Sequence, residues 1–335
     1  MHPSLRTAIC DSLEIDFPIL QAGMGYVARA ELAAAVSESG ALGMLGASTM
    51  TPEELREQIR EVRKRTARPF GVDILFAKSP RREDGKLAYT GAVNAQIEVV
   101  FEERVPVLVS GLGDPGPFVA EAHDLGIQVL ALTGNTKNAL RLEASGVDAV
   151  IAQGYEGGGH TGRVGTMSLL PAVLDAVSVP VLAAGGLADG RGLAAVIAMG
   201  GLGAWMGTRF VATREAWGHD ACKNGIVRAD DEGTIRTRCF SGKPARMLRN
   251  KTTEAWEAPE LAATIQPFPH QFKQIQRWLG EDAYLAGRRD GKVEVGSCAA
   301  GQSAGLITDV PSASDVAARI AAEASLCLER LSGGA

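Results

Sequence analysis

His160 is the residue in this chain best placed to move a proton. It follows three glycines in the run Glu156-Gly157-Gly158-Gly159-His160-Thr161-Gly162. Imidazole gains and loses a proton near neutral pH, which suits general acid or base work. The glycines let the backbone bring that ring close to a bound molecule. The loop follows the apolar run Ala149–Gly154, so His160 is expected just past the end of a strand. The other histidines promise less. His123 falls within a predicted helix, where it is expected to be solvated, and His2, His219 and His270 lie away from strand ends. No HxH or HExxH spacing suggests a metal site.

Two more glycine clusters point to an anion. Gly185-Gly186-Leu187-Ala188-Asp189-Gly190 follows an apolar run and leads into a helix, and Gly207-Thr208 follows the next run. Free N–H groups and helix N-termini in such places favour phosphate. Gly111-Leu112-Gly113-Asp114-Pro115-Gly116 fits the GxGxxG spacing of a dinucleotide site. That fingerprint normally opens a βαβ unit, however, and here it sits in the fourth loop and is interrupted by Pro115, so a plain turn is the favoured reading.

These loops need a scaffold that brings strand ends together. Eight short apolar runs recur: Pro18–Met24, Leu42–Ser48, Phe70–Phe76, Val105–Gly111, Gln128–Gly134, Ala149–Gly154, Val179–Gly186 and Ala204–Phe210. They are almost continuously apolar, as parallel strands buried on both faces are. Helix-like stretches separate them. One starts with Thr51 as N-cap, Pro52 at the first helical position and Glu54 three residues on, a capping box. Another ends at Gly40, placed as a glycine just past a helix. Eight such units predict an α/β fold, a (β/α)8 TIM barrel, over an open doubly wound sheet. The barrel is assigned to 1–213 and 301–335. The more polar segment 214–300 holds Trp217, Trp256 and Trp278 and reads as a mostly helical insertion or cap after strand 8. The stretch 312–331 reads as the last barrel helix.

Composition narrows the partners. The 335 residues are 46% hydrophobic and carry a net charge of −5, which argues against nucleic acid as the main partner. The five cysteines form no CxxC pair, so neither a disulfide framework nor a zinc site is expected, and a cytoplasmic location follows. No stretch reads as a signal peptide or membrane span.

Six segments in collinear order carry a resemblance: QAGMG, FGVDILF, AQGYEGGGHTG, AAGGLADGRG, MGTRF and GQSAGLI, from about Phe17 to Ile307. Together they resemble the nitronate monooxygenase family, formerly 2-nitropropane dioxygenases, which also includes flavin-dependent enoyl-acyl-carrier-protein reductases and some quinone reductases. The resemblance implies FMN as cofactor, with NAD(P)H as a co-substrate in the reductase branch. It implies that Ala22, Gly23 and Met24 lie against the flavin ring and that Gln153 and Gly154 lie near the ring and ribityl chain. It places Gly185, Gly186, Gly207 and Thr208 at the FMN phosphate, Gln302 on a second cofactor-side segment, and His160 as the catalytic histidine. Asp73 stands where the family usually has Asn; an ionised carboxylate there would oppose an anionic reduced flavin, whereas a protonated one mimics the amide.

The leading expectation from the resemblance is oxidation of an alkyl nitronate with O2 to a carbonyl compound and nitrite. The alternative is an NAD(P)H-dependent reductase of an enoyl-thioester or quinone. Lys243, Arg246, Arg249 and Lys251 cluster in sequence and could meet the phosphates of CoA or a carrier protein, although a solvated face is the simpler account. A small-molecule substrate and a homodimer complete the expectations.

Overall fold

The computed structural model describes residues 1–76 and 90–333. Its strands, in chain order, are β1 (Ile19–Gln21), β2 (Gly43–Gly46), β3 (Phe70–Leu75), β4 (Val107–Leu112), β5 (Gln128–Thr133) and β6 (Ala149–Gln153). They continue with β7 (Gly159–His160), β8 (Val181–Ala184), β9 (Ala204–Met206), β10 (Thr234–Thr237) and β11 (Ala245–Leu248). Eight of them form one parallel sheet in the order β1-β9-β8-β6-β5-β4-β3-β2. A parallel bridge between Leu20 and Leu42 joins its two edges, with Gln21 N–H donating to Leu42 O and Leu42 N–H to Ile19 O, both at 2.9 Å. The sheet is thus a (β/α)8 TIM barrel, as the eight apolar runs require.

The strand pleat decides which side chains face the barrel axis, because successive residues point to opposite faces. Leu20, Val107, Val109, Leu130, Ala149, Ile151, Leu182, Ala184 and Trp205 share one buried cluster inside. Val72, Ile74, Leu108, Val129, Val150, Ala152, Val181 and Ala183 alternate with that inner register and pack outward against helices. The helix Ala8–Leu13 adds Ile9 and Leu13 to the inner cluster and plugs one end. The same alternation sends Asp73 and Gln153 inward, one layer above the apolar fill.

The helices form for local reasons. The helix Pro52–Arg65 opens with the capping box: Thr51 Oγ1 accepts from Glu54 N–H, and the Glu54 carboxylate accepts from Thr51 N–H. Leu55, Ile59 and Val62 fall on one face and are buried. Ala30–Glu38 ends with Gly40 at φ 91°, the left-handed position foreseen for it. The closing helix, Ala313–Leu331, packs so tightly on Gly190–Ala198 that a Cβ at Gly190 would lie 2.3 Å from Ala324 N.

Between the last barrel strand and the closing helix lie the helices Asp220–Val227, Gln271–Leu279 and Ala283–Arg288 among shorter turns. They have a small core of their own around Phe240, Met247, Trp256 and Ile275. The segment also carries β10 and β11, which the helical expectation did not include. These two pair antiparallel, and β11 pairs in turn with β7, so this three-stranded sheet includes His160. Among the described residues, no helix is long and apolar enough to cross a membrane.

Candidate active site

Two adjoining cavities open at the C-terminal ends of the barrel strands. The smaller, of about 200 Å³, is walled by backbone-rich strand ends: Ala22, Gly23 and Met24 after β1, Asp73 on β3, Gln153 on β6, Gly185 and Gly186 after β8, and Gly207 and Thr208 after β9. The larger, of about 700 Å³, is lined by Phe76, Phe240, Phe268, Phe272 and Ile275, with Lys243, Gln276 and Asp282 as its polar members. Ser48, Leu75, Leu112, His160 and Tyr284 border both.

Glycines permit the close approach of walls in the smaller cavity. A Cβ at Gly23 would lie 2.1 Å from Asp73 Cβ. Gly185 and Gly186 have φ of 91° and 76°, a left-handed pair that other residues adopt at a cost. Glu156 braces this turn: it accepts from Thr166 N–H at 3.0 Å, while Thr166 Oγ1 donates to Gly185 O at 2.8 Å. The helix Gly190–Ala198 does not offer the free N-terminus foreseen for it. Asp189 accepts from Arg191 N–H and Gly192 N–H, and Glu323 accepts from Gly190 N–H at 3.0 Å. An anion would therefore meet the glycine turns rather than that helix end.

His160 is half-buried at the junction of the cavities. Its position is set by the backbone. It lies opposite Ala245 in the β7–β11 pairing, and Gln153 Nε2 donates to its carbonyl at 3.0 Å. Its Nε2 is 2.9 Å from Ser241 Oγ, and that hydroxyl donates to Lys243 O at 3.1 Å. Where the hydroxyl proton is used in this way, Nε2 carries the ring hydrogen and Nδ1 keeps its lone pair. Phe268 meets the ring edge-on at 6.2 Å. Burial, and then the charges of Lys243 and Arg288, hold the imidazole below its usual pKa, so it is neutral and able to act as a base at neutral pH.

Asp73 is 6% exposed, and its Oδ1 has no hydrogen-bond partner. Among the described residues no cation pairs with it. Burial drives its pKa well above the ordinary value, and the backbone N–H of Gly111 offsets this only in part. The carboxyl is therefore held towards its neutral form, the state that mimics an asparagine amide.

Two expected site residues are not on a cavity wall. Gly154 is buried behind it, with its N–H donating to Ala184 O, and a Cβ there would meet Thr166 Oγ1 at 2.0 Å. Gln302 is exposed and starts the short turn Gln302–Leu306, whose neighbours Gly301 and Ser303 face the smaller cavity instead. The four basic residues of 243–251 do not form a patch. Arg246 is 3% exposed, stacked 4.7 Å from the Tyr155 ring centroid, and Arg249 donates to Glu232 O. Lys251 faces Glu294, and only Lys243 reaches a cavity. Arg246 lies on β11, whereas Lys243, Arg249 and Lys251 lie beyond its ends. The sequence reading missed Tyr284 and Arg288, which the cap contributes to the site; their four-residue spacing on a helix was the available signal.

A barrel with a glycine-walled cavity at its strand ends and a histidine at the mouth matches known proteins closely. The family model described as nitronate monooxygenase matches residues 6–323. The chain belongs to the nitronate monooxygenase family. It is 36% identical to a (3aS,4S,5R,7aS)-5-hydroxy-7a-methyl-1-oxo-octahydro-1H-indene-4-carboxyl-CoA dehydrogenase of Mycobacterium tuberculosis, over 98% of each chain. Among solved structures, FabK of Thermotoga maritima superposes with a TM-score of 0.87 at 37% identity, covering 98% of this chain and 99% of that one. Nitroalkane oxidase of Streptomyces ansochromogenes gives 0.83 at 30% identity, covering 97% and 100%. As a member of the nitronate monooxygenase family the protein is an oxidoreductase enzyme.

Proposed function

We propose that this family member is an FMN-dependent oxidoreductase whose substrate is a bulky, largely apolar acid carried as a thioester. The observation that carries the proposal is the larger cavity. Its volume of about 700 Å³ and its phenylalanine lining suit a multi-ring or long acyl group, since pockets for such ligands span roughly 300–1,000 Å³. A small alkyl nitronate would leave most of it unfilled. Similarity along the whole chain to a bicyclic carboxyl-CoA dehydrogenase supports the same substrate class.

The residues of the smaller cavity fit FMN. Gly23 leaves room beside Asp73 that a side chain would fill, and the left-handed pair Gly185–Gly186 together with Gly207–Thr208 makes a cradle of backbone for a phosphate. The neutral carboxyl of Asp73 would hold the ring as an amide would. When bound, FMN supplies the two-electron chemistry. His160 then holds or takes the substrate proton at Nδ1, with Ser241 and the β11 backbone fixing the ring. Phe268 and Phe272 give the larger cavity an apolar wall. NAD(P)H would be the co-substrate for turnover in the reductive direction.

Nitronate oxidation is the second reading. The family description and the nitroalkane oxidase similarity favour it, and a neutral His160 serves as base for a nitroalkane. One experiment separates the two. The purified flavoprotein is mixed without oxygen with a hydroxylated bicyclic acyl-CoA, or with NADPH followed by an enoyl-CoA, and separately in air with propyl-2-nitronate. Loss of flavin absorbance with the acyl-CoA, or its return with the enoyl-CoA, supports the thioester reading. Oxygen uptake with the nitronate alone, and no response to either thioester, refutes it.

A further inference from the structure

Arg288 is a charged residue in the wall of the smaller cavity that the proton chemistry does not use. It ends the helix Ala283–Arg288 of the cap and is 7% exposed. Its Nη1 donates to two neutral acceptors, Gly25 O at 3.2 Å and Tyr284 Oη at 3.0 Å. Its guanidinium carbon also lies 4.2 Å from the centroid of the Tyr284 ring. No carboxylate among the described residues pairs with it. The acids nearest in sequence are committed elsewhere: Asp290 to Arg289, and Asp282 to the N-terminus of the helix itself.

Burying a guanidinium without a counter-charge is costly, and natural interiors pair such groups or put them to use. Among the described residues, the donors that are not on Gly25 and Tyr284 have no acceptor, and the side chain adjoins a cavity. Tyr284, which accepts from Arg288, borders both cavities, so the charge in the smaller cavity lies one hydrogen bond from their junction. It is also close enough to His160 to help hold the imidazole neutral. A fixed positive charge beside a neutral base is an arrangement for a ligand oxygen that carries or gains negative charge.

We infer that Arg288 is the anion-binding residue of the site, which takes a negatively charged oxygen of the substrate at the junction of the cavities. The inference deepens the proposed function and rests on it for the identity of that oxygen, an enolate or alkoxide formed as the proton leaves for His160. The glycine cradle follows β8 and β9, so the cofactor phosphate has its own place. The guanidinium fork suits a planar oxyanion in a way an ammonium does not.

The test uses two probes that differ in charge and little in shape, cyclohexanecarboxylate and cyclohexanecarboxamide, titrated calorimetrically into the purified flavoprotein. The wild type is expected to bind the carboxylate about tenfold to a hundredfold more tightly, the difference that a charged hydrogen bond makes. Arg288→Gln is expected to abolish that preference, and Arg288→Lys to keep part of it. Tyr284→Phe is expected to keep it. A wild type that does not discriminate, or an R288Q variant that discriminates as well as the wild type, overturns the assignment. So does a variant that alters the flavin spectrum while the preference stays intact, because the charge would then serve the cofactor. If R288Q fails to fold, R288K decides: unchanged carboxylate binding refutes the fork. Neither probe is a thioester and neither is turned over, so this outcome is independent of which substrate the enzyme uses.

Discussion

Substituting asparagine for Asp73 exchanges a buried acid for a neutral amide of nearly the same shape. In the unfolded chain the carboxyl ionises near its ordinary pKa of 3.8, whereas in the fold burial holds the proton to a higher pH. Folding therefore takes up a proton at this position. Stability that depends on the bound proton is complete below pH 3.8 and is lost as pH rises towards the folded value. One proton of difference gives a slope of about 1.4 kcal/mol per pH unit across that window. Asparagine carries no such slope. The D73N variant should match the wild type within about 1 kcal/mol at the acid end, and its advantage should then grow by about 1.4 kcal/mol for each pH unit. Urea denaturation of both proteins at steps of about one pH unit from about pH 4.5 upward measures this directly. Two stability curves that stay parallel across the range would show that Asp73 is ionised in the fold, and the account of the cavity would be wrong. The same variant should bind FMN at least as tightly as the wild type at neutral pH.

Three further outcomes follow from the site. His160→Gln should lower kcat by about 10²–10⁴-fold while leaving flavin content and melting temperature near those of the wild type, as steady-state kinetics and a thermal scan would show. Equal loss of folded protein would instead assign the residue a structural role. Lys243→Met removes one of the two positive charges that, after burial, hold His160 down; the basic form should then appear at higher pH, and the pH–rate profile should move upward on the limb set by that group. Ala283→Trp fills the larger cavity from a buried wall position. Turnover of a bulky thioester should collapse, whereas oxidation of a small nitronate should persist; equal loss of both would count against two functionally distinct cavities.

The barrel was legible because strands buried on both faces must be largely apolar; β8 is so throughout, and β4, β5 and β6 depart from it only at Ser110, Gln128, Thr133 and Gln153. The capping box at Thr51 and the turn at Gly40 were legible because each uses a residue type that the backbone demands. His160 stood out through its glycines. The hairpin of β10 and β11 did not. Thr234–Thr237 and Ala245–Leu248 mix polar and apolar residues, and their third partner is two residues long and far away in sequence. The basic run 243–251 reads as a line of charge in the sequence, but only Arg246 lies on β11, where it is buried, while Arg249 and Lys251 follow the strand and meet other partners. Gly190 looked like an open helix end because the acid that covers it, Glu323, comes from the last helix. Tyr284 and Arg288 lay outside every strand end, and their four-residue spacing on a helix was the one local sign that they share a face.

The pairing of β7 with β11 makes the insertion a condition of competence. Until residues 245–248 have paired with β7, the strand that aligns His160 and the serine beside its ring are both out of place. A substitution in the inserted segment therefore acts twice, on the lining of the larger cavity and on the strand that aligns His160.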